Sequence, residues 1–343
     1  MTFLKHKSSR RSLLKTMGAL GAGTLLSGLE SQGQAPAKPI RIDTHSHFTG
    51  PSIYDEERKA GHEALVKWKP QVTIDEMDEG LVQTSILSVG DPGVWYGDDA
   101  KARASARECN EIGARAVHDY PGRFGLITVL PLPDVNGSLK EIEYAIDTLH
   151  ADGVGIVSSY QGRYLGNSLF TPMWEELNRR KAVVYTHPLC PACAAQPELI
   201  DGQNRGVEFV FDTTRTIVSI LANGVPARFP DIKFIWSHAG GTVPFITGRL
   251  TGKNDKLPKG AMYELQRFYY DTAQAFNQYT LPSFKKFVPI DHIVFGTDFP
   301  LGGGSAKTVA KGLADNGGFT PEEMRKIDRE NALTLFPRLR NSA

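Results

Sequence analysis

Along residues 38–343, short β-branched or aromatic runs alternate with segments whose apolar residues recur every three or four positions. The runs predict eight strands: Ile40–His47, Thr84–Gly90, Phe124–Leu132, Gly153–Ser159, Ala182–His187, Ile232–His238, Phe268–Ala273 and His292–Asp298. Stretches such as Val183-Val184-Tyr185 and Ile293-Val294-Phe295 are apolar at consecutive positions, the pattern of a strand buried on both faces. Between the strands, Leu139, Ile142, Ile146 and Leu149 mark the clearest helical stripe, with Asn136 as its expected cap and Asp152-Gly153 as its end. Thr171-Pro172 opens a second helix, and Asp212 is read as the cap of a third running through Ile217, Ile220 and Leu221. Thr320-Pro321-Glu322-Glu323 begins the last, with proline in the first turn and acids at the positive end of the helix dipole. Strands alternating with helices imply parallel pairing through right-handed crossovers. Eight such units close as an α/β fold, a (β/α)8 TIM barrel. The competing open, doubly wound sheet lacks its signature, since no G-x-G-x-x-G opens the first helix.

Residues 1–37 follow a different pattern. Lys5, Lys7, Arg10 and Arg11 precede a weakly apolar run from Met17 to Leu29, diluted by Gly18, Gly21 and Gly23. Ala35-Pro36-Ala37 then offers small residues to a signal peptidase. This order has the form of a twin-arginine export signal. It predicts recognition by the export machinery, a mature domain of residues 38–343, and a periplasmic or otherwise exported location. Without use of the signal, the protein would stay cytoplasmic.

Composition narrows the function classes. The formal net charge of the 343 residues is +1, which leaves no basic surplus to neutralise nucleic-acid phosphates. Three cysteines do not make a disulfide scaffold. The core has to come from packing.

In a barrel, chemistry gathers at the C-terminal ends of the strands. The first predicted strand ends in Asp43-Thr44-His45-Ser46-His47, and alternation puts His45 and His47 on one face. The fifth ends in Thr186-His187, the sixth in Ser237-His238 followed by Ala239-Gly240-Gly241, and the eighth in Thr297-Asp298. Any one of these histidines alone reads as a hydrogen-bonded structural residue. Together, on one rim, they read as a metal site. Imidazole and carboxylate donors suit Zn²⁺ first, with Mn²⁺ or Fe²⁺ as alternatives. His6, His62, His118, His150 and His292 fall elsewhere and are assigned structural roles.

The sequences His45-x-His47, Thr186-His187-Pro188, Ser237-His238-Ala239-Gly240-Gly241 and Gly296-Thr297-Asp298-Phe299-Pro300 resemble the amidohydrolase superfamily. Glu76-Met77-Asp78, Tyr164-Leu165-Gly166, Trp174–Arg180 and Asn331-Ala332-Leu333 extend the likeness to its decarboxylase-like branch, over about Ile40 to Leu339. That branch is typified by aminocarboxymuconate-semialdehyde and 6-methylsalicylate decarboxylases. The resemblance implies that His45, His47, His187 and Asp298 hold one divalent metal and that His238 is the catalytic acid/base. It also implies a homodimer or homotetramer, and cytoplasmic relatives, so the export signal is a departure. A second departure lies in the stretch from Gly61 to Pro70, which carries Lys67 and Lys69 but not the substrate-binding arginine of the muconate-semialdehyde enzymes. The 6-methylsalicylate type is the nearer match there, including the Trp68-x-Pro70 neighbourhood.

The expected reaction is non-oxidative decarboxylation of a small aromatic or unsaturated carboxylic acid, with His238 or Asp298 as the proton donor. The same ligands would serve hydrolysis of a lactone, amide or ester. A noncatalytic periplasmic binding protein is the third reading. Arg163 and Arg215 are candidate carboxylate binders, Arg215 because Asp212 is read as starting a helix. Trp95, Tyr160 and Phe299 are candidates to line an apolar ring pocket, and Asp271 to support a ligand from behind. Cys190-Pro191-Ala192-Cys193 reads as a rim-loop disulfide or two free thiols rather than a catalytic pair, and Gly302-Gly303-Gly304-Ser305 as a flexible loop.

Overall fold

The computed structural model of the protein describes residues 40–189, 204–302 and 304–341. The segment 1–37, with its arginine pair, and the Cys190–Cys193 pair lie outside the described residues. No described helix is long and apolar enough to cross a membrane.

Eight parallel strands form one sheet in chain order: β1 (Arg41–His47), β2 (Val82–Ser88), β3 (Phe124–Val129), β4 (Gly153–Val157), β5 (Val183–His187), β6 (Lys233–Trp236), β7 (Tyr269–Asp271) and β8 (Ile293–Val294). Each lies where the hydrophobic runs predict it. The sheet curls until its first and last edges meet. Thr44 N–H donates to Phe295 O at 2.9 Å, Asp298 N–H to His45 O at 2.8 Å, and His47 N–H to Phe299 O at 2.7 Å. Beneath this seam the buried Asp43 carboxylate accepts the Thr297 N–H and hydroxyl at 3.0 and 2.7 Å. The result is a (β/α)8 barrel.

The outer layer comprises α1 (Pro70–Gly80), α2 (Asp99–Asp119), α3 (Val135–Glu143), α4 (Thr171–Arg179), α5 (Asn204–Ala222), α6 (Ala261–Arg267), α7 (Leu281–Phe287) and α8 (Ala306–Asn316). Their apolar faces, with Cys109, Trp174 and Ile217 among them, pack on the outward strand residues Leu87, Leu126 and Trp236 in one large core. A second cluster fills the barrel interior. There Ile42, Ile86, Ile127, Val183, Tyr185, Ile235 and Val294 meet Ala332, Leu335, Phe336 and Leu339 from the C-terminal segment. These interior residues include Ile42 and Val183, at the starts of β1 and β5, so the C-terminal segment plugs the N-terminal end. The opposite end stays open for chemistry.

Local signals are partly as expected. Thr320 and Glu323 form a reciprocal capping box at the start of the helix Pro321–Arg325. The cap of α3 is Asp134, not Asn136: Asp134 Oδ1 accepts the Gly137 N–H at 3.0 Å, and Asn136 is already helical. Asp212 caps nothing. Helix α5 begins at Asn204, so Asp212 and Arg215 both lie in its interior. The Asp212 side chain is instead committed to tertiary partners, accepting the Tyr164 hydroxyl at 2.7 Å and the Ser158 hydroxyl.

Candidate metal centre

Strand alternation turns His45 and His47 the same way, into the open end of the barrel, and both are fully buried. His187 comes from the end of β5, and Asp298 from just after β8. The four residues offer one ligand atom each, all within 4.8 Å of one another. His45 Nε2 stands 3.0 Å from His47 Nε2, and Asp298 Oδ1 lies 3.1 Å from both.

The opposite ring nitrogens explain this convergence. His45 Nδ1–H donates to Asp271 Oδ2 at 2.8 Å, and Asp271 is held by the backbone N–H groups of His238 (2.9 Å) and Ala273 (3.1 Å). His47 Nδ1 faces the Ser88 carbonyl at 3.3 Å, and His187 Nδ1 the Pro188 carbonyl at 2.8 Å. A carbonyl or carboxylate only accepts, so Nδ1 of His45 and His47 carries the proton and Nε2 presents a lone pair; at His187 the Asp91 N–H also points at Nδ1, at 3.2 Å, but the shorter 2.8 Å approach to the Pro188 carbonyl corresponds to the same tautomer. Three such lone pairs and a carboxylate oxygen directed at one small volume fit a divalent cation.

The charges fit as well. Burial opposes charge on His45, yet the Asp271 and Asp298 carboxylates override it and hold the imidazole up at about 10. Burial lowers His47, and it pushes His187 well below the ordinary histidine value, where the surrounding imidazoles reinforce it. Burial works against ionisation of Asp298, but His45, His238 and His47 hold its carboxyl well below the usual range. The two carboxylates thus draw a proton onto His45. A divalent ion would supply that positive charge and release the proton.

His238 stands beside this set. Its Nε2 lies 3.2 Å from Asp298 Oδ2, and its buried Nδ1 has no hydrogen-bond partner. The Gln274 side-chain amide donates to the same Asp298 oxygen at 2.7 Å. His238, Gln274 and Asp298 all hold positive φ, at 53°, 55° and 66°. Non-glycine residues in this region are strained, and such strain clusters at sites whose geometry the fold over-determines.

His187, His238 and Asp298 open into a cavity of about 490 Å³, within the size range of small-molecule sites. Phe209 and Leu301 contribute apolar wall; Phe209 stacks on His238 with ring centroids 6.5 Å apart and meets the His187 ring edge-on. His62, Asp91 and Gln274 supply polar groups. No lysine or arginine lines the cavity among the described residues.

The substrate-binding candidates are not brought to this cavity. The chain after β4 turns outward as a small antiparallel ribbon, Ser159–Tyr160 against Arg163–Tyr164, which leaves Arg163 exposed over a separate surface pocket. Arg215 is not at a helix N-terminus; it sits within α5, 3.5 Å from Glu208 and 3.9 Å from Asp212. Tyr160 folds back so that its hydroxyl accepts the Val157 N–H at 3.0 Å, and with Trp95 it lines a different cavity of about 100 Å³. The Trp95 indole donates to Asp99 at 2.8 Å. Phe299 is half-buried at the barrel seam and is absent from the lining. Asp91, Phe209 and Gln274 went unread in the sequence, and His62, which lines the same cavity, was assigned only a structural role. Asp91 and Gln274 stand just beyond strand ends, which is the one signal that would have pointed to them.

The amidohydrolase family profile matches residues 42–338. The 6-methylsalicylic acid decarboxylase of Penicillium expansum is 35% identical over 318 residues, spanning 88% of this chain and 97% of the relative. A decarboxylase of Aspergillus niger is 33% identical over 336 residues, with 88% and 89% covered. A solved dihydroxybenzoic acid decarboxylase from Polaromonas, with bound manganese and the inhibitor 2-nitroresorcinol, superposes with a TM-score of 0.72 at 22% identity, covering 87% of this chain and 96% of that one.

Proposed function

From the premise that this chain belongs to the amidohydrolase family, we propose that it is a metal-dependent decarboxylase of a small aromatic carboxylic acid. The observation that carries the reading is the convergence of His45, His47, His187 and Asp298 with His238 bonded to Asp298, all at one small-molecule cavity. The decarboxylase relatives support the reaction class.

The four residues fit one divalent ion, which when bound supplies charge neutralisation and orientation to the substrate carboxylate and a neighbouring phenolate oxygen. Zn²⁺ suits the donor set, and the manganese of the Polaromonas enzyme supports Mn²⁺. The remaining work falls to the protein's own groups. Phe209 offers a ring face beside His238. His238 holds the reacting proton at Nε2, with Asp298 Oδ2 as its acceptor. Asp298 also accepts from Gln274, so it acts as a carboxylate that positions His238. Transfer of the His238 proton to the ring carbon bearing the carboxylate creates the electron sink. The carbon–carbon bond then breaks, its electron pair returns to the ring, and CO₂ leaves. A panel of hydroxybenzoates and lactones, with CO₂ and ring-opened product both measured, tests the reading. Lactone opening without CO₂ would replace it by hydrolysis.

The proposal includes export of the mature domain, supported by the order of arginine pair, apolar run and small-residue site in residues 1–37. Replacing Arg10 and Arg11 by lysine and fractionating cells tests it. Export predicts loss of the periplasmic pool, and an unchanged distribution would remove it.

A further inference from the structure

A second concavity, of about 720 Å³, lies away from the metal centre and shares no lining residue with its cavity. Its walls are the ribbon after β4, the last turns of α5 and the chain beyond them. Arg163, Arg228 and Lys256 line it, together with Asn167, Ser219 and Asn223. No acidic residue lines it among the described residues, and none of the three cations has a carboxylate partner there. The Arg163 guanidinium donates to the neutral Gln161 side chain, at 3.2 Å. Elsewhere on the surface arginines are neutralised, as Arg103 is by Asp134 and Arg180 by Asp147. The whole chain carries 39 basic and 38 acidic residues, so three unpaired cations in one place do not reflect a general surplus. The C-terminal end of α5 offsets at most about half a charge.

The cations are held in place from behind. The Arg228 guanidinium lies over the Phe229 ring, 4.9 Å from its centroid. Asn254 fixes the backbone of Lys256: its Oδ1 accepts the Lys256 N–H at 3.0 Å, while its amide donates to Leu221 O at 2.9 Å. Gly224, at φ 68°, lets that loop close on α5, since a Cβ there would stand 2.7 Å from Lys256 Cβ. The Ser219 hydroxyl accepts the Gly166 N–H at 3.1 Å and ties the return of the ribbon to the same helix. Like charges fixed around one hollow repel each other, and a bound anion relieves them. A carboxylate brings one charge and two oxygens, which a single arginine satisfies. Three cations with amide and hydroxyl groups beside them match a doubly charged group with three free oxygens, as a phosphate ester has. The volume falls in the range of small-molecule sites, and a bare phosphate would fill little of it. We propose that this concavity is a second binding site, independent of the metal centre, that takes the phosphate group of a small phosphate ester. Nothing in it depends on the decarboxylase reading.

Isothermal titration of the metal-loaded protein with phenyl phosphate, ribose 5-phosphate, adenosine monophosphate and inorganic phosphate tests it. At least one ester is expected to bind with a Kd below about 1 mM, and more tightly than inorganic phosphate. Raising NaCl from about 50 to about 500 mM should weaken that binding several-fold, because the three cations are exposed to solvent. Arg163→Gln and Arg228→Gln should each weaken it about three- to tenfold, and the triple variant that adds Lys256→Gln should abolish it. The triple variant should keep the metal content and melting temperature of the wild type, so that lost binding is not lost fold. Binding should also survive in a His45→Ala, His47→Ala double variant, which separates this site from phosphate held by a metal. No binding by any ester, an affinity untouched by the triple substitution, or an affinity lost with His45 and His47 instead, overturns the proposal. Inorganic phosphate binding as tightly as every ester overturns it too, and leaves an adventitious ion only.

Discussion

His45 Nε2 and His47 Nε2 face each other at 3.0 Å, with Asp298 Oδ1 3.1 Å from each. Their protons are directed away, to Asp271 and to the Ser88 carbonyl. Two lone pairs held at that distance are repulsive unless a cation or a recruited proton lies between them. Much of the behaviour expected of this protein follows from that pair.

Asp271 fixes the orientation of His45 from behind. Asp271→Asn replaces a charged acceptor with an amide that can present its donor side to Nδ1. Metal affinity is expected to fall about 10- to 100-fold, measured by competition with a chromophoric chelator. An unchanged affinity would mean that Asp271 serves the barrel seam rather than the ligand.

Gly90 lies against two of the proposed ligands. A Cβ there would stand 2.8 Å from His47 Cε1 and 3.3 Å from His187 Cε1. Gly90→Ala is therefore expected to displace the imidazoles and cut metal occupancy several-fold, while the circular dichroism spectrum stays that of the wild type. Full occupancy in the purified variant would show that the β2 rim yields.

His238 is expected to separate binding from turnover. His238→Ala should retain the metal, since His238 is outside the four-ligand cluster, and lose about two to four orders of magnitude in kcat. Metal analysis beside a CO₂ assay checks both halves. Turnover close to wild type would remove His238 from the proton path.

The C-terminal plug is expected to matter for stability alone. Phe336 is 2% exposed inside the barrel floor, at the end opposite the site. Phe336→Ala should cost about 3–5 kcal/mol, visible as a lower denaturant midpoint. The specific activity of the folded fraction is expected to hold.

These expectations divide as the sequence's own legibility does. The eight strands could be read because each is a short β-branched or aromatic run, and burial on both faces leaves few polar interruptions. His45, His47, His187, His238 and Asp298 were readable as a group because strand ends in a barrel share one rim. The ribbon after β4, which carries Arg163 away, has no periodicity to betray it. Asp212 looked like a cap because aspartate favours caps, but its carboxylate is taken by Ser158 and Tyr164, more than forty positions away in the chain. That His62, read as structural, lines the cavity was hidden for a similar reason. Its place there depends on a burial of Glu57 that no local pattern encodes.

The central claim is most directly tested by CO₂ release from hydroxybenzoates, measured on protein stripped by a chelator and then reloaded with Zn²⁺ or Mn²⁺. Release is expected to vanish on stripping, to return with about one equivalent of metal per chain, and to be absent from a His45→Ala, His47→Ala double variant. Undiminished release from the stripped protein, or metal-dependent turnover of lactones with no CO₂ from any hydroxybenzoate, would contradict it.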